Sequence, residues 1–321
     1  MNESAPYGFR IVGDCRNERR LVNAANALTG YSTCDLQAEV EREAYLSAFQ
    51  FGEAFRQHLE RTGSTKGYRG LCWSPWLWFD IDNENNLDVA AVDARKLAAS
   101  LVERYRIDGD DLLLFFSGSK GFHVGLPMSL ASSPAPSPTF HKIARRYACD
   151  LADQFGVTID TGIYDRVRAF RAPNSRHPKT DLHKRRVTFD ELLGLKVTAL
   201  VQMASDPEPF ELPIFPGAKS QAEDDWASAA LVVESEVKAL AEQRQAVDGP
   251  SLNRLTLEFI RDGAIAGDRH RLLFSAAANL AEFGCPASLA HALLADSGLN
   301  LGLPPKDVRR QIECGLERGT A

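Results

Sequence analysis

The sequence predicts an α+β protein: a core in which strands and helices alternate, followed by an all-helical part. Three observations carry that expectation. Two apolar runs, Trp76–Ile81 and Leu112–Phe116, flank an amphipathic stretch of helical period, Leu87–Tyr105. The residues Ser117-Gly118-Ser119-Lys120-Gly121 form a glycine turn, after which the chain returns as a second apolar strand through Leu126. From Leu252 onward the apolar spacing is helical throughout, punctuated by Gly263, Gly284, Pro286 and Pro304.

Taken in order, residues 1–34 give little beyond an edge strand at Tyr7–Val12. Asp35 can cap a helix, and apolar residues near helical spacing (Tyr45, Phe49, Phe55, Leu59) predict one continuing to the Thr62-Gly63-Ser64 break. Trp76–Asp82 reads as a strand with Leu77, Phe79 and Ile81 on one face and Trp78, Asp80 and Asp82 on the other. Leu112–Phe116 is continuously apolar and so fully buried. On the returning strand His123 and Gly125 share a face. Phe140–Phe155 is a helix stopped by Gly156, and Val157–Asp160 a short strand. Pro173 and Pro178 argue against a long strand in the next segment. Thr188 with Glu191 opens a short helix, residues 205–220 are proline-rich and irregular, and Asp224–Gln245 is a charged helix. The expected organisation is a core at 1–215, a helical linker at 216–249 and a helical C-terminal domain at 250–321.

The chain has 321 residues, a net charge of −6 and 44% apolar residues, which suits a soluble protein of two domains, or of one large domain with an appendage, rather than a uniformly basic nucleic-acid coat. No apolar run is long enough to span a membrane, and the N-terminus lacks a signal-peptide layout. The expectation is a cytoplasmic protein without membrane association. The six cysteines are scattered with no Cys-x-x-Cys pair, so no structural zinc is expected. Charge is nevertheless uneven. Arg166, Arg168, Arg171, Arg176, Lys179, Lys184, Arg185 and Arg186 face only Asp181 within their segment, which makes it either a phosphate-binding face or a solvated surface.

Asp80 and Asp82 lie on one strand face, about 6–7 Å apart at Cα, within reach of one or two divalent cations. Asp82 with Asn83 could equally open a turn. A glycine turn with Lys120 and His123, and a third aspartate at Asp160 before the basic loop, complete a set of carboxylates and cations that suits a nucleoside triphosphate. Trp73, Trp76 and Trp78 either stack on bases or fill the core.

These motifs resemble the archaeo-eukaryotic primase superfamily. That family has an Asp-x-Asp motif, then Ser-Gly-x-Lys/Arg-Gly-x-His, then a lone Asp before Arg/Lys-x-Pro-x-Ser-x-His-x-Lys-Thr. Here they are Asp80/Asp82, Ser117–His123, Asp160, and Arg171-Ala172-Pro173-Asn174-Ser175-Arg176-His177-Pro178-Lys179-Thr180. The resemblance covers roughly residues 35–215. It implies an RRM-like antiparallel sheet carrying the aspartates, with Asp80, Asp82 and Asp160 as catalytic ligands of two Mg²⁺ or Mn²⁺ ions; Asp165 competes with Asp160. Ser117, Lys120, His123, Arg171 and His177 would contact the nucleotide phosphates. Lys179, Lys184 and Arg185 would meet the phosphates of template or primer. The helical part is similar to small domains that follow such cores in phage and mobile-element primases. Asp181 departs from the glycine often found after Lys-Thr, and no cysteine cluster offers the zinc knob of many relatives.

The implied activity is a DNA primase or primase-polymerase joining NTPs or dNTPs on single-stranded DNA, with a replicative helicase as a possible partner in trans. A gap-filling repair polymerase shares the chemistry. A replication-initiator nickase needs a His-x-His site, which the sequence lacks, and a non-catalytic DNA-binding module would not need its aspartates.

Overall fold

A computed structural model describes residues 6–246, 252–263, 268–300 and 302–319. The chain divides into two compact units, Met1–Glu236 and Val237–Ala321. The first contains β1 (Tyr7–Val12), β2 (Arg20–Asn23), β3 (Ala44–Ser47), β4 (Gln50–Phe51) and β5 (Cys72–Trp73). It continues with β6 (Trp76–Asp82), β7 (Leu113–Phe116), β8 (Gly121–Pro127), β9 (Ala169–Arg171) and β10 (Arg185–Val187). The helices around them are α1 (Ala24–Ser32), α2 (Glu53–Thr62), α3 (Leu87–Tyr105), α4 (Phe140–Phe155), α5 (Phe189–Gly194) and α6 (Val197–Met203). A longer helix, α7 (Ser220–Ala246), follows, and the second unit holds α8 (Arg254–Asp262), α9 (Arg269–Glu282), α10 (Ala287–Asn300) and α11 (Pro305–Gly319).

All strand pairs are antiparallel. One sheet runs β5-β4-β1-β3-β9 with β2 beside β1; the other runs β10-β7-β8-β6. The fold is therefore α+β, with an all-helical second unit. The apolar alternation of β6 explains the second sheet. Leu77, Phe79 and Ile81 are buried at 0–2% exposure, and α3 covers their side with Ala90, Ala94, Leu97 and Leu101. The small alanines let the helix approach the sheet closely. Helix α3 begins where the Asn86 side chain accepts from Asp88 N, and α4 stops at Gly156, whose φ is +59°. Helix α5 opens with the expected capping box between Thr188 and Glu191.

Three expectations need correction. Tyr7–Val12 is an interior strand, because β2, β3 and β4 all pair with it. No long helix begins at Asp35. Its carboxylate accepts from Gln37 N and caps a single 3₁₀ turn, Leu36–Ala38; the chain then runs through β3 and β4 before α2 starts beyond Gly52. The aromatic spacing that mimicked a helical period belongs to β-strands and α2 converging on one core, where Phe51 stacks on Phe55 with centroids 4.1 Å apart. Finally, Val157–Asp160 is not a strand.

Helix α7 is more than a linker. Ala222, Trp226, Ala229 and Val233 belong to the core of the first unit. Asp225 receives two hydrogen bonds from Arg104 (2.7 and 2.8 Å) and one from the Tyr105 hydroxyl at 2.8 Å. The second unit has its own core around Phe259, Leu273, Leu280, Leu294 and Ile312. No helix among the described residues is long and apolar enough to cross a membrane.

Candidate functional site

The register between β6 and β8 sets the site. Asp80 stands opposite His123 and Asp82 opposite Gly121, all on the face that also carries Trp78. Gly121 permits this pairing: a Cβ there would collide with the Ile81 carbonyl and the Asp82 carboxylate, and lie 2.9 Å from Asp82 Cα. Gly118 has a φ of +83°, and its Cβ would sit 3.0 Å from the Leu182 carbonyl. The turn is closed by Ser117, whose amide donates to Gly121 O at 2.9 Å and whose hydroxyl accepts from Gly121 N at 3.2 Å.

Strand β6 is an edge of its sheet, and its outer side is covered by residues 160–164. The Asp160 amide donates to Asp80 O (2.8 Å) and the Tyr164 hydroxyl to Trp78 O (2.5 Å). The Asp160 carboxylate accepts from Gly162 N at 2.7 Å, capping the 3₁₀ turn Thr161–Tyr164.

A cleft of about 180 Å³ opens where the two sheets meet. The second sheet and its turn contribute Asp80, Asp82, Ser117, Lys120 and His123. The first sheet contributes Tyr45, Arg168, Phe170 and Arg171, and His177 comes from the loop beyond. Of the residues expected to form the site, Asp80, Asp82, Ser117, Lys120, His123, Arg171 and His177 thus converge on one cavity. Asp160 is exposed beside it, outside the lining. Among the described residues, no group of three or more His, Cys, Asp or Glu is arranged to hold a metal ion.

The electrostatics follow from partial burial. Asp80 Oδ1 lies 3.3 Å from His123 Nε2, without the alignment of a hydrogen bond. Both Asp80 Oδ1 and His123 Nδ1 are buried with no hydrogen-bond partner, which is uncommon away from functional sites. Burial, aided by the positive charge of Lys184, pushes His123 down to about 4, so its ring is neutral at pH 7. Burial alone would raise Asp80; the neighbouring His123, Lys184 and Lys120 more than offset it and leave its carboxyl lowered and ionised. Asp82 is raised, first by burial and then by the charge of Asp80, with Asp160 adding to the repulsion. Lys120 answers this with ion pairs to Asp82 (3.0 Å) and Glu84 (3.2 Å). His177 is lowered to about 4 by burial, Arg171 and Lys179, and its Nδ1 accepts from Lys179 N at 3.2 Å. A neutral ring accepting at Nδ1 carries its proton on Nε2.

The basic segment is less open than its sequence suggests. Arg166 donates to the Tyr68 and Pro138 carbonyls, and Arg186 to those of Leu112 and Leu114. Arg176 pairs with Asp181 at 3.4 Å. Lys179 is exposed, as a phosphate contact requires. Lys184 and Arg185 depart from that role. Lys184 is 1% exposed, and the Arg185 side chain is largely buried and paired with Glu208. The cause is the fold of the loop. Lys184 and Asn174 bond backbone to backbone, His183 N donates to Ala204 O at 2.7 Å, and β10 then enters the sheet beside β7. Trp76 and Trp78 are core residues, at 4% and 9% exposure.

Tyr45 and Phe170 are lining residues that the sequence does not single out, and Arg168 is one it offers only as a member of the basic segment. Tyr45 is placed by β3–β9 pairing opposite Arg171, and its hydroxyl accepts from Arg171 Nη2 at 3.3 Å. The Arg168-Ala169-Phe170-Arg171 run, with two arginines bracketing a short strand, was the available signal.

No family model matches the sequence, and no curated protein matches it. Among solved structures, a crystal structure of primase RepB′ aligns with 99% of this chain and 90% of that chain, at 12% identity and a TM-score of 0.40.

Proposed function

We propose that this protein is a metal-dependent nucleotidyltransferase acting on a single-stranded DNA template, a primase or primase-polymerase. The observation that carries the reading is the convergence of Asp80 and Asp82 with Lys120, His123, Arg171 and His177 on one cleft, in the order of motifs that the sequence shares with the primase superfamily. The donor set suits a hard divalent cation. Two adjacent carboxylates repel one another, one oxygen of Asp80 lacks a partner, and Asp82 is raised by the neighbouring charge. Asp80 and Asp82 would hold Mg²⁺ or Mn²⁺, and Asp160 would join them on leaving its cap on Gly162. Such an ion, when bound, supplies charge neutralisation at the transferring phosphate and activation of the attacking hydroxyl.

The rest follows from the chain itself. Lys120, now pairing with Asp82, is set to turn to a phosphate oxygen. Arg171 presents a planar donor fork at the opposite wall, and His177 a neutral Nε2–H. The shared turn of Ser117 and Gly121 keeps the backbone low enough for close approach of a nucleotide. Exposed Lys179, whose amide donates to His177 of the lining, would meet a template phosphate.

The test is synthesis on a primer-free single-stranded template, with NTPs or dNTPs and Mg²⁺ or Mn²⁺. Asp80→Ala with Asp82→Ala should abolish product while single-strand binding largely survives. Synthesis that persists in the double variant refutes the assignment. Product made only from a primed template would favour the gap-filling alternative.

A further inference from the structure

We infer that Lys184 is a positioning residue that pins the edge strand carrying Arg171 to the second sheet, and so fixes the cationic wall of the cleft relative to the carboxylates. Its consequence for nucleotide binding rests on the proposed function; the pin itself is geometric. Among the described residues, strand β9 pairs only with β3, which leaves its other side without a strand partner. On that side Lys184 Nζ donates to the Arg171 carbonyl at 2.8 Å. The same residue is held by its own backbone, accepting from Asn174 N at 2.8 Å and donating to Ser175 O at 3.0 Å. The next residue, Arg185, is already in register with Phe116 of β7. One side chain therefore ties an edge of the first sheet to the strand entering the second.

The surroundings of the ammonium span both sheets. Phe170 of β9 lies 4.2 Å from Nζ, Phe115 of β7 4.7 Å and Trp78 of β6 5.3 Å, measured to ring centroids. Cation–π contacts of this kind are strongest where water is excluded. Phe170 in turn packs on the His123 ring, with centroids 4.3 Å apart. Burying a lone ammonium is unfavourable, and an apolar side chain of similar volume would fill the space without that cost. The pin accounts for a lysine here: burial lowers its pKa well below the usual lysine range, yet the side chain is long enough for its amine to donate to the Arg171 carbonyl while three aromatic faces enclose it. Arg171, so anchored, keeps its guanidinium 3.3 Å from the Tyr45 hydroxyl and 3.9 Å from Glu43.

Lys184→Met keeps the volume and removes the donor. In the full-length protein, amide hydrogen exchange across residues 169–176 should rise by about tenfold or more. With Mn²⁺ present, the nucleotide KM should rise about tenfold with kcat within about threefold of wild type. Combined with Arg171→Ala, the change at Lys184 should add no further loss, because the two act as one unit. Unchanged exchange overturns the inference, as does a loss that multiplies with that of Arg171→Ala. If Lys184→Met fails to fold, Lys184→Gln, one bond too short to reach the carbonyl, is judged by the same exchange and kinetic criteria. A wild-type chain that binds no nucleotide sinks the proposed function instead, and exchange at residues 169–176 still decides the pin.

Discussion

Gly121→Ala isolates the position of one carboxylate without removing it. The added methyl would stand 2.9 Å from Asp82 Cα and run into the Ile81 carbonyl and the Asp82 carboxylate. The Ile81 carbonyl is the tightest of these contacts, and ordinary contact begins near 3.4 Å, so β6 and β8 must part locally by about 1 Å or more. Two consequences have different sizes. Overpacking a strand pair costs about 1–3 kcal/mol, read as a lower urea midpoint. If Asp82 holds a metal ion as proposed, displacing it by about 1 Å should cost about a hundredfold in turnover, because the reacting groups would no longer meet in line. The control is Gly194→Ala, where a Cβ would meet nothing within 4 Å and no positive φ is required. The assay is nucleotide incorporation at saturating Mn²⁺ alongside urea denaturation. Gly121→Ala should lose most activity while remaining folded, and Gly194→Ala should match wild type. If Gly121→Ala incorporates nucleotide within threefold of wild type, the place of Asp82 in the reaction is wrong.

Two further outcomes follow from the charges. His141 is lowered to about 4, first by burial and then by Arg166 and Lys142. A histidine held neutral by the fold gives its full stabilisation above about pH 6.5, and that is lost as pH falls towards 4; with partial exposure the loss is about 1–2 kcal/mol. His123 and His177 act in the same direction and window, while Asp82, raised by the fold, opposes them. Urea midpoints should therefore drop between pH 6.5 and 4, and less steeply in His141→Gln; an equal slope would refute the assignment. Lys120→Met removes the cation that competes for Asp82, so calorimetry should show Mn²⁺ binding strengthened by up to about fivefold in the nucleotide-free protein. Nucleotide affinity should fall in the same variant, and weaker Mn²⁺ binding would contradict the reading of that ion pair.

The legible part of the chain was the part governed by short-range rules. Period-two alternation puts Asp80 and Asp82 on one strand face and His123 with Gly125 on a face of the next strand, and the β6–β8 register is what joins those two faces. An amphipathic stripe marks α3, the stopping Gly156 marks α4 and the Thr188–Glu191 capping box marks α5. What escaped depends on contacts distant in sequence. Tyr45 enters the cleft because β3 pairs with β9, 126 residues away at the Tyr45–Arg171 hydrogen bond. The 35–59 stretch reads as a helix because apolar residues recur at helical spacing, yet Tyr45 belongs to β3, Phe49 to the turn after it, and Phe55 and Leu59 to α2. The basic run illustrates the same limit for charge. Composition counts cations, but burial decides which of them reach solvent, and Lys184 and Arg185 do not.

Both walls of the cleft are edge strands, and among the described residues neither edge is closed by another strand. The open side of β6 is met by the Asp160 amide and the Tyr164 hydroxyl, which take the Asp80 and Trp78 carbonyls. The open side of β9 is met by the Lys184 ammonium. Unpaired edges invite association with other chains, and covering them removes that hazard. Here the covering also frees the space between them. A further strand across either edge would bury the carboxylates or the arginine, whereas single donors close each edge and leave the faces bearing Asp80, Asp82 and Arg171 open to the cleft. The presence of Asp160 beside β6 without a strand of its own then has a physical reason. Its backbone serves the edge, while its carboxylate caps Gly162 outside the cleft lining, near enough to add to the negative charge around Asp82.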